Sequence, residues 1–227
     1  MKNILMKLKT NSEDLRNDEI LEVIFRLAGT GGDPRAKAES IMKKMGGPLG
    51  VFGASFKQLI EIGGIEEKPA FLILAARSIA SGLLKEKVAG RDAIRCKKDV
   101  LDYLKLRLFG EKVEKFVAIY MNSKNEVLAI ETLHEGTVNR TAIYPRKVIE
   151  RAFLHNARSA VFAHNHPSGN PAPSAEDRHL IRELDRASLA VDLIVHDHLI
   201  IGDNRHFSAR DNGWILGCAP ALPSAAE

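Results

Sequence analysis

The sequence predicts an α/β chain, a mixed sheet flanked by helices, preceded by a small all-helical domain. Three observations predict it. Up to about Leu84 the apolar residues recur at helical spacing. From Phe116 onward apolar runs of strand length alternate with helical stretches. The short apolar run Ala160-Val161-Phe162-Ala163 then breaks into His164-Asn165-His166-Pro167, as a buried strand does when it ends at a cleft.

The first helix follows Asp18 and places Val23, Ile24 and Leu27 on one face before Gly29-Thr30-Gly31-Gly32 closes it. A second spans Pro34–Met45 and stops at Gly46-Gly47-Pro48, and a short third follows a cap at Ser55. Gly63-Gly64 forms a hairpin, and Pro69 is expected to open a long apolar helix. The charged stretch Ala89–Asp99 is expected to mark the boundary, with a helix at Val100–Phe109 leading into the second domain. Strands are predicted at Phe116–Met121, Val127–Leu133, Ala160–Ala163 and Val191–Ile201, and helices near Arg146–Asn156 and Glu176–Ser188. The expected organisation is a helical domain over 1–90, a metal-binding domain over 101–218 and a loose tail over 219–227.

Composition sets limits. At 227 residues, with 45% hydrophobic and 27% charged residues, the chain has ample material for a globular core. A net charge of +4 permits nucleic-acid contact without demanding it. Two widely separated cysteines, Cys96 and Cys218, exclude a disulfide framework and a cysteine-rich zinc finger. Ile4-Leu5-Met6 is too short for a signal sequence, and no apolar run approaches the roughly 20 residues needed to span a bilayer. A reducing cytoplasm is the expected location.

The chemistry concentrates at the histidine pair. His164 and His166 are one residue apart on extended backbone, so their rings point to the same side. An oxygen donor can join them from the first turn of the helix that starts at Ser174. Two imidazoles and a carboxylate, with one position open to water, form the ligand set of a catalytic zinc site. Ser174-Ala175-Glu176-Asp177 also has the form of a capping box, so Ser174 can serve the helix as well as the site. His134, His155, His179 and His206 have no motif around them and are expected at the surface.

His-x-His-Pro, six residues, then Ser-x-x-Asp resembles the motif of JAMM (MPN+) metalloproteases. Gly136-Thr137, Pro145-Arg146, His164–Gly169, Pro173-Ser174, Asp177 and Asp197-His198 resemble the RadC branch of that family over about Leu101–Ser208. The resemblance implies a cytidine-deaminase-like α/β fold, and Zn2+ held by His164, His166 and Asp177 with water as fourth ligand. It implies a glutamate that acts as general base and then acid; Glu114 matches its position, ahead of Glu111, Glu131 and Glu135. It assigns Ser174 the role of donor to the oxyanion of the tetrahedral intermediate. The implied function is hydrolysis of a peptide or isopeptide bond in a protein substrate. The family's usual Pro-Arg-Glu is Pro145-Arg146-Lys147 here, on a helix outside the ligand set. Asp197 and His198 are placed evenly between satisfied strand residues and support for a metal ligand.

Leu59–Ala70 resembles a helix-hairpin-helix DNA-binding element, whose backbone N–H groups approach a phosphate. Glu66 stands where that motif has its second glycine and Glu67 follows, so a plain packing hairpin is the preferred reading. The alternative function is a DNA-associated repair or recombination accessory protein, with weak DNA contact through the N-terminal domain and a structural metal site. An HNH nuclease draws its residues from separated positions, an amidohydrolase barrel needs about 250 residues, and a zinc deaminase needs Pro-Cys-x-x-Cys. None of these fits.

Overall fold

A computed structural model describes residues 2–10, 14–108, 110–136, 143–203 and 205–215. Thr137, Cys218 and the expected tail over 219–227 lie outside the described residues. The chain divides into two compact units, Met1–Gly82 and Leu83–Glu227.

The first unit is helical: α1 (Lys2–Thr10), α2 (Asn17–Ala28), α3 (Pro34–Lys44), α4 (Pro48–Phe52), α5 (Phe56–Glu61) and α6 (Glu67–Val88), the last containing the division point. Its ends follow local chemistry. Gly29 takes φ +72° and sends its N–H back to Phe25 and Arg26, closing α2 in a conformation that suits glycine. Asp33 caps α3, with Pro34 in the first turn, and Ser55 and Gln58 form a capping box on α5. Leu21, Phe25, Ile41, Val51, Leu59 and Ile73 meet in the core of this unit. α6 begins two residues before Pro69, because a proline within the first turn removes an N–H that has no helical partner. Helices α1 and α4 were not expected from the sequence; α4 has only five residues, with a glycine inside.

The second unit is built on a five-stranded sheet. α7 (Lys97–Leu108) precedes β1 (Lys115–Met121) and β2 (Val127–Glu135), then come α8 (Pro145–Leu154), β3 (Ser159–Asn165), α9 (Ala175–Leu189), β4 (Ile194–Ile201) and β5 (His206–Ser208). The strand order is β2-β1-β3-β4-β5, with β3 and β4 parallel and the other pairs antiparallel. Alternation sorts the side chains. Phe116, Ala118, Tyr120, Ala160 and Phe162 pack with Val148, Ala152, Ile181 and Leu184 of α8 and α9. Val117, Ile119, Met121, Val161 and Ala163 pack with Val100, Tyr103 and Leu104 of α7 on the other face. Truncating a fully buried residue such as Phe162 to Ala costs about 3–5 kcal/mol.

The charged segment after Val88 is hydrogen-bonded to the start of β2. Gly90 donates to Val127 O, Val127 donates to Arg91 O, and Ala93 donates to Asn125 O. Ala89 and Asp92 bridge to Val127 and Glu126 at the start of β2, the edge strand, so this segment is tied to the sheet. Among the described residues no helix is long and apolar enough to cross a membrane.

Candidate metal centre

The centre forms where β3 ends. His164 is fully buried on the α8/α9 face, and His166 follows just beyond the strand, held by its N–H to Ile201 O at 3.0 Å. The next residues turn sharply: Gly169 N–H donates to His166 O at 2.9 Å, and Asp203 N–H donates to Gly169 O at 3.0 Å. Gly169 has φ +77°, and a Cβ there would lie 2.2 Å from the Asp203 carboxylate. The Pro-Ser-Gly sequence is thus what lets this loop lie against the β4–β5 turn.

Ser174 caps α9. Its Oγ accepts from Asp177 N–H at 3.0 Å, and the Asp177 carboxylate accepts from Ser174 N–H at 2.7 Å. The Ser174 hydroxyl donates its proton to the same carboxylate oxygen, also at 2.7 Å. The capping box therefore fixes the rotamer of Asp177 and aims its carboxylate at the histidines.

The three predicted ligands meet. His164 Nε2 lies 3.2 Å from His166 Nε2 and 3.1 Å from Asp177 Oδ1, and His166 Nε2 lies 3.2 Å from Asp177 Oδ2. Among the described residues this is the one such grouping of three. A tetrahedral metal with bonds of about 2.0 Å has ligand–ligand edges of about 3.3 Å, so the spacing suits one. Proton bookkeeping agrees. His166 Nδ1 faces the carbonyl of Asn170 at 2.8 Å and must carry the ring proton, which leaves the Nε2 lone pair of the neutral ring aimed at a carboxylate. Lone pairs converging in this way call for a cation at their centre.

Without a cation, a proton on a histidine Nε2 takes its place and bonds to the carboxylate. Burial opposes ionisation of Asp177, but hydrogen bonds with His164 and His166 outweigh it and hold the carboxyl well below the usual range. The His166 pKa is raised by its hydrogen bond to Asp177, against the effect of burial, with a further contribution from the charge of Glu114. Behind the ligands, His198 Nε2 lies 2.9 Å from His164 Nδ1, and burial keeps the His198 ring neutral.

Glu114 stands just before β1. The last β1–β3 pair is Phe116 with His164, and Glu114 lies two residues before that pair, at the end of the sheet that carries the histidines. Its influence on His166 follows from that proximity. The other glutamates are engaged elsewhere: Glu111 and Glu135 pair with Lys115, and Glu131 pairs with Arg151 and His155. His155, expected at the surface, is thus half-buried in an ion-pair cluster that ties α8 to β2, and His134 is also half-buried. The sequence around them is ordinary, and only tertiary packing brings these residues inward.

Asp197 points away from the metal ligands' network. It accepts from His198 N–H, Arg210 N–H and the Ser208 hydroxyl, and so fastens β4 to β5 and the turn that follows. In the first unit, Glu66 pairs with Lys37 and Glu67 sits in the first turn of α6. These carboxylates already meet the positive end of the helix where a phosphate would approach.

Comparison with known proteins gives a consistent result. Residues 94–214 match the family model described as the RadC-like JAB domain. The chain is 34% identical over 208 residues to a UPF0758 protein of Nitrosospira multiformis, covering 92% of this chain and 93% of that one. It is 33% identical over 201 residues to a UPF0758 protein of Burkholderia cenocepacia, covering 88% and 78%. A UPF0758 protein of Pseudomonas entomophila is 34% identical over 215 residues, covering 92% and 93%.

Proposed function

The chain belongs to the RadC family, and on that premise we propose that it is a zinc-dependent metallopeptidase or isopeptidase. The observation that carries this reading is the convergence of His164, His166 and Asp177, with Glu114 on the segment that leads into the neighbouring strand β1. A zinc ion bound there would supply a Lewis acid and lower the pKa of water from about 15.7 to about 7.

The residues divide the remaining work. Glu114 takes a proton from the attacking water and returns it to the leaving nitrogen, converting a poor leaving group into an amine. The Ser174 hydroxyl, which donates to Asp177 at rest, turns its proton toward the developing oxyanion. Asp177 keeps the Ser174 backbone N–H as a partner when this happens, so the carboxylate is not released from the cap. The substrate is a peptide-linked or ε-amino-linked protein segment, since both present the same amide carbonyl. The alternative DNA-associated role draws no comparable support, because acids occupy the hairpin position that phosphate contact requires.

The test uses the zinc-loaded protein with an internally quenched peptide mixture and an ε-glycyl-lysine isopeptide reporter. Cleavage of either should stop on chelation, and E114Q should keep its zinc while losing turnover by about 10²–10⁴-fold. Stoichiometric zinc without cleavage of either reporter would remove the peptidase reading. Cleavage by E114Q at the wild-type rate would remove the base assignment.

A further inference from the structure

Asn165 stands between the two histidines and points the opposite way, as alternation requires. It is only 3% exposed, and its side-chain amide is spent on one short segment. Its Oδ1 accepts from Lys115 N–H at 2.8 Å, and its Nδ2 donates to Val113 O at 3.1 Å, with a longer contact to Glu111 O at 3.5 Å. Val113 and Lys115 are the two neighbours of Glu114. In extended backbone the C=O of residue i−1 and the N–H of residue i+1 point to the same side, away from the hydrogen-bonding groups of residue i. The C=O of Glu114 itself points to the other side, where it accepts from Gly136 N–H at 2.9 Å.

We propose that Asn165 is a positioning residue for Glu114, gripping the peptide groups on both sides of it so that its carboxylate is held at the metal centre. The proposal rests on the reading of Glu114 as general base. β3 backbone does not do this job, because the β1–β3 ladder ends at the Phe116–His164 pair and the Lys115 N–H goes to the Asn165 side chain instead. The Asn165 amide takes over as the next rung of the β1–β3 ladder. The need for both a donor and an acceptor selects an amide. Aspartate would keep the bond to Lys115 N–H but set a carboxylate oxygen against the carbonyls of Val113 and Glu111. Alanine would remove the partner of both the Lys115 N–H and the Val113 carbonyl. The same side chain links the two halves of the site, since the strand that carries the ligands holds the segment that carries the base.

The experiment compares full-length wild type, N165A, N165D and E114Q, each loaded with zinc, and N165D combined with E114Q. It measures zinc content, hydrolysis of the isopeptide reporter and hydrogen exchange at the Lys115 amide. N165A and N165D should keep one zinc per chain and near-normal KM while kcat falls about 10–100-fold, the scale of a small misplacement of a reacting group. Exchange at Lys115 should quicken about tenfold or more in N165A, and adding N165D to E114Q should cause no further loss of kcat. Wild-type kcat in N165D beside an inactive E114Q would overturn the proposal alone. So would loss of zinc in both Asn165 variants, which would mark a merely structural role. An E114Q that hydrolyses at the wild-type rate would overturn the base assignment, and this proposal with it.

Discussion

His164 Nδ1 lies 2.9 Å from His198 Nε2, so one metal-ligand candidate is backed by a second imidazole. Metal-binding histidines commonly send their other N–H to a carboxylate or carbonyl, which fixes the tautomer. Here the fixing works through a chain of rings. For His164 to offer its Nε2 lone pair, Nδ1 must carry the proton and His198 Nε2 must accept it. His198 then carries its own proton on Nδ1, which is buried without a hydrogen-bond partner among the described residues. The opposite arrangement puts a proton on His164 Nε2, where a metal would bind.

His198 should therefore tune affinity for the metal rather than form the site. H198F, which keeps ring bulk beside Phe116 and Phe162 but cannot accept a proton, should weaken zinc binding about 10–100-fold in competition with a chelator. Wild-type affinity in H198F would show that His164 needs no acceptor behind it.

Ser174 joins stability to chemistry at one oxygen. S174A removes the cap of α9 and should lower stability by about 1 kcal/mol, together with a loss of turnover. S174T keeps a hydroxyl and should restore most of both. Denaturant unfolding and reporter hydrolysis on the same preparations check the pairing of the two effects. Normal turnover in S174A would remove the hydroxyl from the reaction.

Glu131 gives the fold a defined acid sensitivity. Hydrogen bonding to Arg151 holds its carboxyl down at about 2, against the effect of burial, from an ordinary value of 4.5. A depressed carboxyl stabilises the folded state fully above the unfolded value and loses that contribution as pH falls toward the folded one. E131Q should cost about 1–3 kcal/mol at neutral pH. The gap between E131Q and wild type should close between about pH 4.5 and pH 2 in the zinc-free protein. A gap independent of pH would mean that packing, not charge, ties α8 to β2.

Gly169 shapes the loop that carries His166. G169A forces a side chain into a left-handed conformation against Asp203, at a cost of about 1–2 kcal/mol. Zinc affinity should fall with stability, because the displaced turn begins at His166 O. Calorimetric unfolding and a zinc titration of the variant test this. A destabilised G169A with unchanged affinity would show that His166 is held by Ile201 alone.

Much of the site was legible in sequence because its parts obey short-range rules. Alternation puts His164 and His166 on one side, and the capping box puts Asp177 one turn into α9. Glu114 was found through resemblance, and the β1–β3 register that brings its segment to the end of β3 joins residues about fifty positions apart. Nothing in the local sequence marks Asn165, because its partners lie in that distant segment. β5 escaped notice because three residues are too few to show a period, and His155 because a lone histidine gives no sign of a partner on a distant strand.

The sequence by itself determined the two kinds of architecture, the three candidate metal ligands and the cap that aims one of them. These follow from side-chain period and from hydrogen bonds within a few residues. Tertiary structure alone decided how closely the three donors converge, which imidazole stands behind His164 and what Asn165 holds. Those relationships depend on strand order and register, set by the burial of both sheet faces together rather than by any local stretch of chain.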